Sequence, residues 1–225
     1  MRSTICMSSR LLMFYFIIND NVVVKCCVIM NKVKRGMCML LSIVRHGQTY
    51  YNASGLVQGR IDIPLNDTGK EQAIELGKSL RKRHEHFDVI MASPLSRALE
   101  SATLIANELG YHDPIETDPR FVERDFHHLD GTPVETAMPL VRSKNYQFET
   151  YETDLHLIDR IQKAAFDLAK RHAHKSVLLV AHSHVIKALM IYADPVSYTF
   201  ADLIKHADVV TFEITDDTIK VMGKK

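Results

Sequence analysis

Residues 40–49 read LLSIVRHGQT, an apolar run that ends abruptly in a cation, an imidazole and a glycine. Such a run is typical of a strand that is buried on both faces of a sheet. The strand brings Arg45 and His46 to its carboxyl end, and we expect Gly47 to let the chain turn sharply there. An imidazole nitrogen is a nucleophile and a guanidinium binds phosphate oxygens, so this pairing favours phosphoryl chemistry.

Apolar strands and amphipathic helices alternate through the chain after residue 39. The predicted strands lie at 40–44, 87–92, 115–117, 176–181, 209–214 and 218–222. The predicted helices begin at Asn66 or Asp67, at Leu95 with Leu99 on its inner face, and near Val134, Leu155 and Val185. This alternation predicts an α/β fold, a three-layer α/β/α sandwich with a mostly parallel central sheet.

Three of these strands end in residues that can hold an anion. Arg45 and His46 follow the strand at 40–44. Ser93 follows the strand at 87–92, with Arg97 one helical turn later, and His182 follows the strand at 176–181. Ligands of open parallel sheets bind at the carboxyl ends of the strands. We therefore expect two histidines and two arginines from distant parts of the chain to meet at one edge.

The composition limits the classes of function. The chain has 225 residues, of which 46% are hydrophobic and 24% charged, enough for one well-buried α/β domain. A net charge of +1 gives no electrostatic case for binding nucleic acid or an anionic membrane. All four cysteines lie in the first 38 residues, with a spacing that fits neither a zinc site nor a secreted disulfide framework. We therefore expect a cytoplasmic protein.

Residues 1–38 differ in character from the rest, and we interpret them as an N-terminal extension outside a domain at 39–225. The apolar run at 11–18 is far shorter than the roughly twenty residues that a transmembrane helix needs. Basic residues precede it, but no small-residue cleavage site follows cleanly. A targeting or anchoring role stays open. The alternative that the segment is a non-native extension also stays open, because the compact domain could start at any of three methionines: Met30, Met37 and Met39.

The chain has twelve histidines, and three pairs of them invite a metal-binding interpretation: His127 with His128, His172 with His174, and His182 with His184. No cysteine or carboxylate set accompanies these pairs at the spacing of metal ligands, so we predict no metal site. Because His182 comes first after its strand, it reaches the sheet edge first. We expect His184 to pack beneath it.

Five motifs follow one another: RHGQT at 45–49 with Asn52, QGRIDIPLNDTG at 58–69, SPLSRA at 93–98, FVERDF at 121–126 and VAHSHVIKAL at 180–189. In this order they resemble the histidine phosphatase superfamily, also called the phosphoglycerate mutase-like family, over roughly residues 39–215. An RHG triplet alone is a weak signal, whereas five motifs in order are a strong one. The resemblance implies the phosphoglycerate mutase-like fold.

The resemblance also implies a two-step phosphoryl transfer that needs no metal or other cofactor. His46 would attack phosphorus as a neutral imidazole, while Arg45, Arg97 and His182 would hold the phosphate oxygens. Glu123 would be the general acid and then the general base, and we expect burial to raise its pKa for that role. The implied substrate-binding positions are Thr49, Asn52, Gln58, Gly59 and Ser183, the last through its backbone N–H.

Departures from the mutase pattern favour hydrolysis. Mutase members have a tyrosine at the position of Phe126, a lysine shortly after that of Gly131, and an Arg-Arg pair in a long insertion. This chain has Thr132-Pro133 after the glycine, and a shorter insertion that holds Arg142 and Lys144. We predict a phosphomonoesterase for a small phosphorylated metabolite, acting as a monomer or homodimer. A phosphoglycerate mutase and a catalytically silent phosphate-binding protein are the alternatives.

Overall fold

The computed structural model describes residues 6–8, 11–18, 22–28, 36–143, 146 and 150–224. The chain divides into two compact units, Met1–Gly36 and Met37–Lys225. The first unit contains an antiparallel sheet of β1 (Cys6–Ser8), β2 (Leu11–Ile18) and β3 (Val22–Val28). Within the described residues, no helix is both long and apolar enough to cross a membrane. The role of residues 1–38 stays a prediction, and part of that segment lies outside the described residues.

The second unit alternates strands with helices. Its strands are β4 (Cys38–Arg45), β5 (Val89–Ala92), β6 (Glu116–Thr117), β7 (Ser176–Ala181), β8 (Val209–Thr215) and β9 (Ile219–Lys224). Its helices are α1 (Tyr50–Ala53), α2 (Asp67–Lys82), α3 (Ser96–Leu109), α4 (Val134–Val141), α5 (Asp154–Arg171) and α6 (Ser183–Ala193). Short 3-10 helices lie at Pro119–Phe121 and His127–Leu129. Only α1 was not predicted among the α-helices, because its single turn lies in a stretch that reads as a loop.

The central sheet has the strand order β6-β5-β7-β4-β8-β9. Its first four strands are parallel, and β8 runs antiparallel to both of its neighbours. Arg45 pairs with Ala181, and Ala92 pairs with Val180. The carboxyl ends of β4, β5 and β7 therefore lie at one level, as the sequence predicted.

Alternate strand residues face opposite helical layers. Leu41, Ile43 and Leu179 lie in a core cluster with the buried faces of α5 and α6. Val44 and Val180 lie in a second cluster with α2 and α3. The predicted α/β/α sandwich is confirmed by this arrangement. The prediction for Leu99 was wrong, because its side chain is 37% exposed on the outer face of α3.

Polar side chains and one glycine fix the helix ends. The side chain of Asn66 accepts a hydrogen bond from the backbone N–H of Gly69 and caps α2, one of the two predicted starts. Gly110 ends α3 with a φ of 69°, a left-handed conformation that glycine adopts at no steric cost. Thr153 caps α5. These local signals place the long helices where the apolar periodicity predicted them.

Candidate active site

His46 follows β4 directly and is buried, with 4% of its surface exposed. Its Nδ1 lies 2.7 Å from the carbonyl oxygen of Gly47. A carbonyl only accepts hydrogen bonds, so Nδ1 carries the hydrogen and Nε2 keeps its lone pair. Burial, followed by the charges of His182, Arg97 and Arg45, lowers the pKa of His46 well below its ordinary value. The ring is therefore a neutral imidazole with a nucleophilic Nε2.

Gly47 allows two backbone segments to touch. Its φ lies outside the left-handed region, so the backbone conformation does not itself require glycine, whereas the close approach does. A Cβ on Gly47 would overlap the carbonyl group of Gly69 in the first turn of α2, and a Cβ on Gly69 would overlap the backbone of Gln48. The loop that carries His46 is thus packed directly on the start of α2.

This close approach predicts that Gly69→Ala destabilises the protein. The added methyl group meets backbone, which is hard to move, so we expect a loss of about 1–3 kcal/mol in the free energy of unfolding. Alanine is otherwise preferred to glycine in a helix by about 1 kcal/mol, so the sign of the change is diagnostic. Urea unfolding measures it, with Gly223→Ala as the control, since nothing lies near a Cβ there. Unchanged or increased stability of Gly69→Ala would contradict the packing.

Arg97 and Arg45 are held by backbone carbonyls, and each has a buried Nε without a partner. Arg97 is fully buried, and its Nη1 and Nη2 donate to the carbonyls of Ile61 and Gly59, both at 2.7 Å. Nη1 of Arg45 donates to the carbonyl of Ile204 at 2.5 Å. In both side chains Nε is buried and unpartnered. Burial lowers the pKa of Arg97 to about 10, which leaves it charged at neutral pH.

His182 follows β7 and is fully buried. Its ring lies edge-on to that of His46, with 5.2 Å between the ring centroids. Its Nε2 is 2.8 Å from the hydroxyl of Ser93, while its Nδ1 is unpartnered. Burial and the charge of Arg97 lower the pKa of His182 well below its ordinary value. Ser183 follows in the first turn of α6, where backbone N–H groups have no acceptor within the helix.

Glu123 is buried between two backbone N–H groups and a histidine ring. Its Oε1 accepts the N–H of Arg124 at 2.8 Å, and its Oε2 lies 3.4 Å from the backbone N of His184 and 3.8 Å from Nδ1 of that ring. Burial alone raises the pKa of Glu123, but the contacts with His184 and Arg124 outweigh it and hold the pKa well below its ordinary value. The expectation of a raised pKa was wrong for the protein without a bound phosphate. His184 lies beside Glu123 rather than beneath His182.

Arg160 of α5 holds the segment that presents Glu123. Its Nη1 donates to the carbonyls of Arg120 at 2.5 Å and Val122 at 3.0 Å. Its Nε and Nη2 donate to the two carboxylate oxygens of Glu152 at 2.7 and 2.8 Å. Sequence reasoning missed Arg160, because it reads as one more charge on the polar face of an amphipathic helix.

The four predicted substrate-binding residues between β4 and α2 are held by hydrogen bonds to one another and to Asp130. Thr49 donates from its hydroxyl to Oε1 of Gln58 at 2.5 Å, which leaves the buried Nε2 of Gln58 unpartnered. Asn52 and Thr49 form a capping box at α1. The N–H of Gly59 donates to Asp130 at 2.8 Å. Asn52 and Gly59 thus shape the loop, and Gln58 offers a free donor.

His206, in the loop before β8, also reaches the site and was missed. Its ring centroid lies 5.8 Å from that of His46, and its Nδ1 is 3.1 Å from the carbonyl oxygen of His46. Burial and the charge of Arg45 lower the pKa of His206 to about 4. No sequence signal marks it, because it lies in an irregular stretch between a helix and a strand.

Four buried nitrogens without a hydrogen-bond partner belong to these residues: Nε of Arg45, Nε of Arg97, Nε2 of Gln58 and Nδ1 of His182. Leaving a buried polar group unpaired is costly, so their presence at one sheet edge indicates a ligand that accepts several hydrogen bonds. Among residues 36–143, 146 and 150–224, no group of three or more His, Cys, Asp or Glu side chains is arranged to hold a metal ion. A tetrahedral oxyanion fits the donor set.

The fold and this pocket define a class of protein, in which an α/β sheet edge presents a neutral histidine and two arginines to an oxyanion. Residues 41–223 match the profile of the Histidine phosphatase superfamily (branch 1). The chain belongs to the histidine phosphatase superfamily, as its motifs predicted.

Relatives and solved structures agree with this membership. PhoE of Bacillus subtilis (strain 168), an uncharacterised phosphatase, is 38% identical over 151 residues, which span 66% of this chain and 74% of PhoE. A solved phosphoglycerate mutase from Bacillus anthracis str. Sterne has a TM-score of 0.74 at 21% identity, and the match covers 84% of this chain and 93% of that one. A phosphoserine phosphatase variant from Entamoeba histolytica, solved with phosphoserine, has a TM-score of 0.71 at 23% identity and covers 83% and 96%. The predicted phosphoglycerate mutase-like fold is confirmed.

Proposed function

We propose that the protein is a metal-independent phosphomonoesterase that hydrolyses a small phosphorylated metabolite through a phosphohistidine on His46. The observation that carries the proposal is the buried, neutral imidazole with a free Nε2, set among unpartnered donors on Arg45, Arg97 and His182. The relative PhoE is named a phosphatase, and a solved neighbour holds phosphoserine, which supports the same reaction class.

In the first step, Nε2 of His46 attacks phosphorus and the bond between phosphorus and the ester oxygen breaks. The negative charge that builds on the phosphoryl oxygens is stabilised by Arg45, Arg97 and His182, whose donors are already oriented by contacts with the backbone and Ser93. The leaving oxygen takes a proton from Glu123. The products are an alcohol and phosphohistidine.

In the second step, water attacks the phosphohistidine and the bond between phosphorus and Nε2 breaks. Glu123, now ionised, takes a proton from that water as it attacks. Glu123 passes this proton to the departing inorganic phosphate and returns to its ionised form, and His46 returns to its neutral form with the hydrogen on Nδ1. The backbone N–H of Arg124 donates to the carboxylate of Glu123, and the side chain of Arg160 donates to the carbonyl of Val122. These hydrogen bonds keep one carboxylate in position for both proton transfers.

Glu123 is ionised in the free enzyme, so its proton has to arrive with the substrate. A phosphate monoester loses its second proton with a pKa of about 6, and the monoanion still carries one. Transfer of that proton to Glu123 inside the pocket gives a dianion facing the two guanidinium groups and a protonated acid facing the leaving oxygen. The monoanion is therefore the productive form of the substrate.

The direct test of the function is release of inorganic phosphate from a panel of phosphomonoesters with a chelator present. We expect release from p-nitrophenyl phosphate and from several metabolite esters, including sugar phosphates and phosphoglycerates. A mutase would instead isomerise 3-phosphoglycerate without releasing phosphate, and a binding protein would leave every ester intact. Either result would refute the phosphatase proposal.

Because the substrate monoanion supplies the catalytic proton, the mechanism predicts how kcat/KM depends on pH. The lowered pKa of His46 keeps the nucleophile unprotonated well into the acid range, so acid does not switch it off. Above a pH of about 6 the monoanion is lost, so kcat/KM for an alkyl phosphate should fall about tenfold per pH unit. Steady-state kinetics from about pH 5 to 8 measure this slope. A kcat/KM that rises through neutral pH would contradict the assignment of the proton.

Location and assembly belong to the same proposal. We propose that the enzyme acts in the cytoplasm, as a monomer or homodimer, on a freely diffusing metabolite. Cys38 is an unpaired thiol, which suits a reducing compartment. The net charge of +1 gives no field that would draw it to a membrane surface or to nucleic acid.

A further inference from the structure

A cavity of about 440 Å³ lies next to Glu123. Its lining includes Arg124, Arg142, Tyr146, Tyr151, His184 and Phe200. Arg124 follows Glu123 in the chain and binds it through its backbone N–H, and His184 contacts the carboxylate of Glu123 directly. The cavity is therefore bordered by both residues that contact the carboxylate of Glu123.

Two side chains in this cavity carry buried donors that have no acceptor. Arg124 donates from Nε to the carbonyl of Glu152 and from Nη2 to Asp154, but its Nη1 is unpartnered and its side chain is only 1% exposed. The hydroxyl of Tyr151 is buried and unpartnered as well. Asp154 is the single carboxylate among the lining residues in the described part of the chain, and Arg124 already engages it. Within the described residues, neither Nη1 of Arg124 nor the hydroxyl of Tyr151 therefore has a hydrogen-bond acceptor.

The charge and shape of the lining further limit the kind of ligand that could supply the acceptor. Arg142 adds a second cation, so among the lining residues that the structure describes the two guanidinium groups outnumber the one carboxylate. Aromatic rings form much of the remaining wall, and the guanidinium of Arg124 lies 4.6 Å from the ring centroid of Tyr151 and 5.2 Å from that of Phe200. A volume of about 440 Å³ is in the range of pockets for ligands well above three carbons in size.

We propose that this cavity is the leaving-group subsite and takes a bulky, apolar or aromatic alcohol that carries a carboxylate. The carboxylate accepts from Nη1 of Arg124 and from the hydroxyl of Tyr151, and the apolar body packs on Phe200 and Tyr146. The phosphate of the same molecule occupies the pocket of His46. This inference rests on the proposed phosphatase function and specifies its substrate class.

The test compares 3-(4-hydroxyphenyl)propanoate with its primary amide, each as the phosphate ester and as the free alcohol. The phenol is the same in both, so the intrinsic reactivity of the esters is matched and only the carboxylate differs. A hydrogen-bonded charge is worth roughly 1.5 kcal/mol or more, so we expect at least about a tenfold preference for the acid. Steady-state kcat/KM measures it for the esters, and calorimetry measures binding of the alcohols.

Two variants link the preference to the cavity. Tyr151→Phe removes one hydroxyl without changing the ring, and Arg142→Gln removes the second cation. Each should reduce the preference for the acid several-fold, while Tyr192→Phe, on the exposed part of α6, should leave it unchanged. Arg124 is left intact because its buried contacts with Asp154 also support the fold.

The outcomes separate this inference from the proposed function. Equal kcat/KM values for the acid and amide esters, with normal turnover of p-nitrophenyl phosphate, would overturn the subsite and leave the phosphatase standing. Selective binding of the acid alcohol without turnover of any ester would support the subsite and refute the phosphatase. A preference that Tyr151→Phe does not alter would place the carboxylate elsewhere and overturn the inference.

Discussion

Replacement of His46 by alanine is expected to lower phosphate release by roughly 10⁴- to 10⁶-fold, the range seen when an enzyme loses its nucleophile. The reason is that Nε2 of His46 is the atom that accepts the phosphoryl group. Without it the fixed charges of Arg45 and Arg97 still bind phosphate but have nothing to transfer it to. Turnover of p-nitrophenyl phosphate measures the loss.

A matched control is His156→Ala, since His156 is an exposed residue of α5. It should retain full activity. A thermal melt of His46→Ala should show that the fold persists, because among the described residues the ring hydrogen-bonds only to the adjacent Gly47. Activity of His46→Ala within a few-fold of the unmodified protein would refute the covalent mechanism.

Glu123→Gln is expected to slow esters with poor leaving groups by about 10²- to 10⁴-fold, the contribution of a positioned general acid. Glutamine retains an acceptor for the N–H of Arg124, so the loop geometry is preserved while the transferable proton is lost. An alkyl alkoxide needs that proton, whereas p-nitrophenolate leaves readily without it. The loss for p-nitrophenyl phosphate should therefore be much smaller.

The comparison of kcat for an alkyl phosphate and for p-nitrophenyl phosphate, in the variant and the unmodified protein, decides the assignment. Glu75→Gln serves as the control, because Glu75 is an exposed residue of α2 that pairs with Lys78. Equal losses for the two esters would remove Glu123 from the role of acid. A defect confined to binding, with kcat unchanged, would do the same.

The residues that meet at the sheet edge could be predicted from the sequence, because the pattern that places each of them is local in the chain. Each apolar strand ends at a recognisable position, and parallel strands align their carboxyl ends. Arg45 is the last residue of β4, and His46 and His182 directly follow β4 and β7. Arg97 lies in the first turn of α3, so the strand pattern alone brings these residues together. The family motifs added Glu123, which no periodicity marks.

The electrostatics of the site could not be predicted, because they depend on contacts between distant segments. The low pKa of Glu123 arises from His184, which lies 61 positions away in the chain. His206 meets His46 across 160 positions. Burial indeed raises the pKa of Glu123, as the sequence reasoning assumed, but the partner that outweighs burial becomes visible only in three dimensions. The close contact of Gly47 with Gly69 is hidden for the same reason.

The substrate cavity was hidden too, because its walls come from irregular segments. Arg124 lies in the FVERDF motif, yet only the packing of Tyr151 and Phe200 around it marks it as a binding group. Residues between α4 and α5 carry no apolar periodicity that would orient their side chains. The chemistry of the reaction is therefore readable from the sequence, while the specificity is not.

The central claim is that the phosphoryl group passes through His46, and the direct measurement is to trap it there. The enzyme is mixed with p-nitrophenyl phosphate, quenched in alkali where phosphohistidine survives, and digested for peptide mapping by mass spectrometry. We predict one phosphoryl group on His46, lost on brief exposure to acid and absent when turnover is complete. Turnover that leaves His46 unmodified at every quench time, or that places the phosphoryl group on another residue, would contradict the mechanism.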